Sequence, residues 1–286
     1  MNTIGSTGNM TGLGLRVTVA GVGIVVFVLL LLADKSNLSS RKTQAITETG
    51  VVSEGGGSTA QLPPLAPDAQ TDQLLARLEA AAPAAQHALL DSVVAVLSAR
   101  KRYDVAAGYA RQAAEADTSL SHLLTAGTLY QQALTLEHVS RDTVLRKQFG
   151  EAAIGYLSRV VAQDPRNEPA LLSLGMAYIT SGNPATSMQG ILTIRKVLEI
   201  NPANTAAGYQ LGLFSVQTGQ LDKAAERFEQ VLKADPSMQE ARYQLASVYV
   251  QTSRADQAKP LLEAVLRDTK DAALLEAARN LLTSLR

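Results

Sequence analysis

The chain of 286 residues contains no cysteine, no tryptophan and only three histidines. Without cysteine there can be no disulfide bond, no thiolate metal site and no cysteine nucleophile. Lysine and arginine together number 26, as do aspartate and glutamate, so no net charge attracts nucleic acid or acidic lipid. Aromatic residues account for 4% of the chain, and alanine is abundant. This composition is typical of closely packed helices, because a methyl group lets neighbouring backbones approach.

Residues for catalysis are also missing. The histidines are His87, His122 and His138, and their spacing matches no zinc site or nucleophile arrangement. Acidic residues do not group with them as ligands, so we interpret each histidine as solvated or helix-terminal. No basic stripe interleaved with aromatic residues is present, which argues against nucleic-acid binding. We predict a protein that is not an enzyme, with no catalytic, cofactor-binding or metal-binding residue and no small-molecule substrate.

Long apolar runs are scarce, and the one that stands out is Val17–Ala33, with 17 residues between Arg16 and Asp34. At ~1.5 Å per residue it is just long enough to cross a bilayer core of about 30 Å. A cleaved signal peptide is the alternative, but residues 31–34 do not supply the small residues that cleavage requires. We therefore predict a single-pass anchor in the bacterial inner membrane, preceded by a short tail at 1–16.

The side of the membrane on which the following chain lies depends on two opposing signals. Lys35, Arg41 and Lys42 follow the apolar run, whereas only Arg16 and the terminal amine precede it. By the positive-inside rule this places the large domain in the cytoplasm. A short N-terminal anchor, however, most often exports the long domain behind it, and a chain without cysteine agrees with an oxidising compartment. We favour the periplasmic side.

Residues 34–70 are predicted to be a disordered linker ahead of a folded domain at 71–286. Serine, threonine, glycine and proline dominate this stretch, and Gly55-Gly56-Gly57 and Pro63-Pro64 are typical of linkers. A helix over 71–82, with Thr71 or Asp72 as its N-cap, is predicted to begin the folded domain.

A repeat of 33 or 34 residues runs through the folded domain. The residues that define it best are Leu211, Gly212, Ala224, Phe228, Val231, Leu232 and Pro236, and then Leu245, Ala246, Tyr249, Ala258, Leu262, Val265 and Leu266. An ordinary helical bundle would show a 3.6-residue period without this longer register. Four positions depart from the pattern: Gly208, Ser215 and Arg242 replace apolar residues, and Lys270 replaces a proline.

Insertions interrupt the register at two places. A three-residue insertion is predicted near 183–186, and fourteen extra residues, TLEHVSRDTVLRKQ, are predicted to lengthen both helices of an earlier unit. The first recognisable unit contains Leu90, Val93, Val94, Leu97, Ala106, Ala113 and Ala114. Residues 271–286 are predicted to form a helix that covers the apolar face of the last unit.

Residues ~87–270 resemble the tetratricopeptide-repeat (TPR) family in these positions. The stretch GNPATSMQGILTIRKVLEINP, followed by YQLGLFSVQTGQLDKAAERFEQVLKADP, resembles uncharacterised bacterial single-pass membrane-anchored TPR proteins. The resemblance implies an all-α fold, a superhelix of about five helical hairpins with a C-terminal capping helix, behind an N-terminal transmembrane helix. It also implies a concave face that holds peptides or partner domains, and no catalytic activity.

In TPR proteins, six positions of each first helix line the concave face. The candidate peptide-binding residues at these positions are Tyr209, Tyr243, Gln217, Gln251, Gln210, Gln244, Leu213, Met176, Leu172 and Gln131. Ile179, Val250, Thr128 and Gln132 occupy further positions of the same kind. No lysine or arginine occupies any of these positions, which number thirty over the five repeats. We therefore expect a groove without basic side chains, and no binding of a C-terminal carboxylate.

Tyrosine and glutamine suit an extended peptide, because tyrosine adds apolar area and glutamine both donates to and accepts from a backbone amide. The alternative is that Tyr209 and Tyr243 pack against adjacent repeats. We predict a membrane-tethered scaffold that binds a protein or peptide partner, with envelope complex assembly as the setting. A structural, self-associating protein, whose groove is filled by its own chain or by another copy, is the alternative.

Overall fold

The computed structural model describes residues 62–66, 68–181 and 184–285. The chain divides into two units, of which Gly50–Arg286 contains all the described residues. The predicted tail, the predicted anchor at 17–33 and most of the predicted linker lie outside the described residues. None of the helices in the described ranges is both long and apolar enough to cross a membrane.

All the regular secondary structure in the described part of the chain is helical, which confirms the all-α prediction. The helices are α1 Ala69–Ala80, α2 Pro83–Ala99, α3 Tyr103–Ala116, α4 Leu120–Ala133, α5 Glu137–Arg141, α6 Thr143–Gln163, α7 Glu168–Thr180, α8 Pro184–Ile200, α9 Thr205–Gln217, α10 Leu221–Ala234, α11 Gln239–Gln251, α12 Ala255–Asp268 and α13 Ala272–Thr283. They form five hairpins, α2–α3, α4–α6, α7–α8, α9–α10 and α11–α12, whose two helices contact each other. We call these repeats 1 to 5.

Small residues let the two helices of a hairpin approach closely. A methyl group on Gly175 of α7 would lie 2.5 Å from Cγ1 of Ile194 and 2.8 Å from the carbonyl oxygen of Gly190, both on α8. Likewise, a methyl group on Gly212 would lie 2.5 Å from the ring of Phe228. These distances are too short for any side chain, so glycine is required at these two positions of the register.

The three-residue insertion lengthens one helix. Helix α8 has 17 residues, whereas the corresponding second helices α10 and α12 each have 14. The insertion predicted near 183–186 is therefore accommodated at the start of α8.

The fourteen-residue insertion behaves differently from the prediction. Helix α4 keeps 14 residues, and the insertion forms α5 and the beginning of α6, which has 21 residues. The prediction that both helices lengthen is wrong for the first one. The helix breaks at Asp142, whose backbone is extended and whose carboxylate accepts hydrogen bonds from the amides of Val144 and Leu145 at 2.8 and 3.0 Å. Val139 of α5 is fully buried, which fixes the short helix against the domain.

The core runs through the array as consecutive apolar clusters. One cluster joins α7, α8 and α9 through Leu171, Ile194 and Leu211. Another joins α10 to α13 through residues that include Phe228 and Leu262. Helix α13 contributes buried Ala278 and half-buried Leu274, Leu281 and Leu282 to the second cluster, which confirms the capping helix.

Two departures from the repeat pattern have local explanations. Ser215 is buried and donates its hydroxyl hydrogen to the carbonyl of Leu211 at 2.9 Å, so its polar atom is satisfied within α9. Arg242 keeps only its aliphatic stem near the core, because its guanidinium donates to Gln239 at 2.6 Å and faces Asp268 at 3.6 Å.

The folded domain begins two residues before the predicted boundary. Asp68 is the N-cap of α1 and accepts from the amide of Thr71 at 2.6 Å, so the prediction of Thr71 or Asp72 as N-cap is wrong. Arg100, at the end of α2, pairs with the Asp68 carboxylate at 2.6 Å and holds it in place. Helix α1 ends at Ala80 rather than 82, since Pro83 begins the next helix.

Residues 62–66, which we call the strap, contact the first repeat. Arg102 donates to the carbonyl oxygens of Pro63 and Pro64 at 2.7 and 3.1 Å. The same guanidinium makes two 3.0 Å bonds to Asp104, whose side chain is completely buried and also contacts Nε2 of His138 at 3.2 Å. The last part of the predicted linker is therefore attached to the domain.

Candidate peptide-binding groove

Three first helices, α2, α4 and α7, carry the walls of a groove. Two of the later first helices, α7 and α9, start at a fixed point because an asparagine caps each of them. Asn167 accepts from the amide of Ala170 at 3.0 Å to begin α7, and Asn204 accepts from Ala207 at 2.9 Å to begin α9. These caps set where the connections ahead of α7 and α9 meet the groove.

The groove encloses a cavity of about 740 Å³. Its lining is Val94 and Ser98 of α2, Leu124, Thr125, Thr128, Leu129 and Gln132 of α4, Arg166, Glu168, Pro169, Leu172 and Ser173 at α7, and Asn204. Aliphatic side chains, hydroxyls and amides all contribute to it. Such a surface can bury apolar side chains and also hydrogen-bond an extended backbone.

A fixed carboxylate lies at the α7 end of the groove. Oε2 of Glu168 accepts from the side-chain amides of Asn204 at 2.8 Å and Asn201 at 2.9 Å. These hydrogen bonds, from Asn204 first and then Asn201, lower the pKa of Glu168. The carboxylate is therefore ionised at neutral pH and joins repeat 3 to repeat 4.

Arg166 brings a positive charge to the same end. Its backbone amide donates to Asp164 at 3.2 Å, which holds the connection between α6 and α7. Among residues 62–66, 68–181 and 184–285, no hydrogen bond or ion pair involves its guanidinium, although its charge acts on nearby Glu168. This exposed guanidinium can bind an anionic group of a ligand.

Residues 215–282 match the family model of the tetratricopeptide repeat. This part of the chain carries tetratricopeptide repeats. The matched part covers α10 to α13 with the end of α9, that is, repeat 5, most of repeat 4 and the capping helix. A search among curated proteins found no match.

Solved structures extend the TPR fold to the earlier repeats. A TPR protein of Thermus thermophilus is 20% identical, covers 69% of this chain and 99% of its own, and superposes with a TM-score of 0.55. A tetratricopeptide repeat protein from Parabacteroides merdae is 19% identical, covers 75% of this chain and 78% of its own, with a TM-score of 0.55. At these identities the likeness concerns the fold alone.

The structure brings only some of the predicted TPR groove positions to the cavity. Leu172 lines it, together with Thr128 and Gln132. Gln131, one position away from Gln132 on α4, is only 8% exposed and does not line the cavity. Met176 is half-buried against the cluster of α7, α8 and α9.

The remaining candidates lie on α9 and α11, in the later TPR repeats. Gln217 and Gln251 are exposed near the ends of these helices, and Gln210 and Gln244 are half-buried. Tyr209, Leu213 and Tyr243 are half-buried and pack against the cluster of α10 to α13. Their role in peptide binding stays a prediction.

Tyr209 bears on the alternative that the tyrosines pack within the domain and do not bind a peptide. Its ring centroid lies 5.8 Å from that of Phe228, which is fully buried, and the two planes are tilted by 53°. Burial raises the pKa of Tyr209, while a hydrogen bond with Gln244 acts in the opposite direction. The ring therefore contributes to packing within repeat 4 whatever else it does.

Sequence reasoning missed Arg166, Glu168 and Asn204. The expectation of a groove without basic side chains is wrong at Arg166, because the connection ahead of α7 carries it rather than a helix position. A signal for this connection was present: an acidic or amide residue, proline, any residue and asparagine occur both at 164–167 and at 201–204. This pattern marks the helix starts that meet at the groove.

Two histidines have acidic neighbours that the sequence did not indicate. His122 contacts Asp117 at 2.9 Å and Asp91 at 3.3 Å, and His138 contacts Asp104. Folding brings α2 and α4 together at His122, and α3 and α5 together at His138. Across the described ranges no group of three or more histidine, aspartate or glutamate residues could hold a metal ion.

Proposed function

We propose that this protein is a non-catalytic scaffold that binds a protein or peptide partner in the groove. The observation that carries the proposal is the cavity of about 740 Å³ that crosses α2, α4 and α7. Its aliphatic side chains offer apolar area, and its hydroxyls and amides match the donors and acceptors of an extended backbone. A partner segment that runs across these three first helices would satisfy both.

A photocrosslinking amino acid at Thr128 tests this proposal in native membranes. Thr128 lines the cavity, and Ala162, exposed on the second helix of the same repeat, provides the matched control position. We expect a defined crosslinked partner from position 128 and none from position 162. The additional change Leu172→Asp is expected to reduce the crosslink about tenfold, since a charge on the apolar wall opposes partner burial. Equal labelling from both positions would contradict the assignment of the groove.

We further propose that residues 17–33 tether the scaffold to the bacterial inner membrane as a single-pass anchor, with the repeats in the periplasm. Support comes from the apolar run Val17–Ala33 and the export tendency of short N-terminal anchors. Extraction should need detergent, and mass spectrometry should recover peptides from before Arg16. A reporter that is active only outside the cytoplasm, attached to Arg286, tests the sidedness. A soluble protein beginning near Asp34 would contradict the anchor.

Self-association is the second candidate, and one observation favours it. Met188 and Leu192, one turn apart on α8, are 61% and 54% exposed, the highest values among the large apolar residues described. A second copy could cover this pair. Sedimentation of the chain in detergent should then show a dimer that the double change Met188→Lys and Leu192→Lys dissociates.

A further inference from the structure

The groove sets two requirements for whatever binds there. Its walls carry aliphatic side chains such as Val94, Leu124 and Leu172, which favour an apolar ligand group. At its α7 end, Arg166 has no ion pair within the described ranges, whereas Glu168 is already held by two amides. A segment with small apolar residues next to a carboxylate satisfies both requirements.

The chain itself contains such a segment. No lysine or arginine occurs between Lys42 and Arg77, and Glu48 and Glu54 are the acidic residues of the stretch 43–61. Val51 and Val52 precede Glu54, so the sequence GVVSE at 50–54 places two apolar side chains beside a carboxylate. These residues lie outside the described structure.

The point of attachment lies close to the groove. The strap is held by Arg102, whose backbone amide donates to Leu97 at 2.9 Å, and Lys101 of the same turn donates to the carbonyl of Ser98 at 2.9 Å. Ser98 lines the cavity. The chain thus enters the domain within one helical turn of the α2 end of the groove.

The length of the chain is also sufficient. Eight residues separate Glu54 from position 62, and they span at most about 28 Å when extended. Three neighbouring helices at about 8–10 Å spacing span about 20 Å. Residues 50–54 can therefore reach Arg166 at the far end of the groove while the strap stays bound.

We propose that residues 50–54 of the same chain bind in the groove, with Val51 and Val52 on the aliphatic wall and Glu54 on Arg166. This inference rests on the groove assigned under the proposed function, and it adds that a partner must displace the chain's own segment. Tethering gives the segment an effective concentration on the order of 1 mM. A segment with a dissociation constant of ~1 mM would therefore fill the groove about half of the time.

Disulfide crosslinking in the full-length chain tests the proposal, since the chain has no cysteine to compete. Val52→Cys is combined with Thr128→Cys in the groove, or with Ala162→Cys on the exposed second helix of the same repeat as a matched control. After mild oxidation of the purified protein, we expect an intramolecular disulfide between positions 52 and 128 at several times the yield of the control pair. Arg166→Gln in the first pair is expected to weaken binding of the segment two- to fivefold, as for an exposed charge pair, and so to lower the yield about one and a half- to threefold.

Each other outcome overturns the proposal. Equal yields from positions 128 and 162, or a yield that Arg166→Gln leaves unchanged, would show that the segment does not bind in the groove. Disulfide-linked dimers without the intramolecular product would assign the groove to the segment of a second copy. Because the purified chain contains no partner, failure here is distinguishable from failure of partner capture in native membranes.

Discussion

At the scale of single residues, glycine at the contact between two helices decides whether a repeat can close. Gly175→Ala would place a methyl group 2.8 Å from a backbone oxygen of α8, which cannot move away as a side-chain end can. We expect the free energy of unfolding to fall by about 1–3 kcal/mol, measured by urea denaturation. The control is Gly155→Ala on α6, where nothing lies within 4 Å of the new methyl group.

That control should be neutral or stabilising by about 0.5–1 kcal/mol, because alanine restricts the unfolded chain more than glycine does. Equal destabilisation by both changes would contradict the role of close helix contact at Gly175.

Tyr209 is the residue at which binding and packing roles can be separated. Its ring packs on Phe228, so we expect Tyr209→Ala to lower the free energy of unfolding by about 2 kcal/mol. Phe228→Ala, at a fully buried position, is expected to cost about 3–5 kcal/mol and provides the reference. Thermal unfolding measures both. An unchanged melting temperature for Tyr209→Ala, with about thirtyfold weaker partner capture, would instead assign the ring to binding.

At the scale of elements, the attachment of α1 depends on one carboxylate. The side chain of Arg100, first, and the amide of Thr71, second, lower the pKa of Asp68 from 3.8 to about 2. Because the folded-state pKa is depressed, the stabilising contribution is complete above about pH 4 and is lost as the pH falls toward 2. We predict a midpoint near pH 2 for the Asp68 carboxyl in an NMR titration.

Arg100→Gln should move that midpoint up toward 3.8, since it removes the principal cause of the shift. Arg111→Gln, an exchange of another helix arginine that pairs with Glu115 instead, should leave it unchanged. If Arg100→Gln left the midpoint unchanged, the ion pair with Arg100 would not be the main cause of the lowered pKa of Asp68.

At the scale of the whole array, each repeat is stabilised by its neighbours, so an end helix acts locally. Removing residues 271–286 takes away α13 with buried Ala278 and half-buried Leu274, Leu281 and Leu282. We expect a loss of about 3 kcal/mol or more in the stability of repeat 5, from the apolar surface that becomes exposed. Hydrogen exchange should accelerate in α11 and α12 and remain unchanged in α2 and α3. Uniform acceleration over all repeats would contradict local stabilisation.

The sequence by itself determined the helical hairpins, their number and the capping helix. The contacts that define a repeat, such as Gly212 on Phe228, join residues less than one repeat apart, so they recur at a period of about 34 residues and can be recognised. The same reasoning located both insertions but not the break at Asp142. That break depends on local hydrogen bonds from the Asp142 carboxylate, which leave no trace in the 34-residue period.

The tertiary structure alone decided which side chains share the groove. Thr128 and Leu172 follow the repeat register and were predicted, whereas Arg166 and Asn204 come from the connections ahead of α7 and α9, and Glu168 is the first residue of α7. The attachment of the strap to Arg102 likewise joins residues 38 and 39 positions apart. Such contacts depend on how one repeat stacks on the next, and no periodicity in the sequence records that geometry.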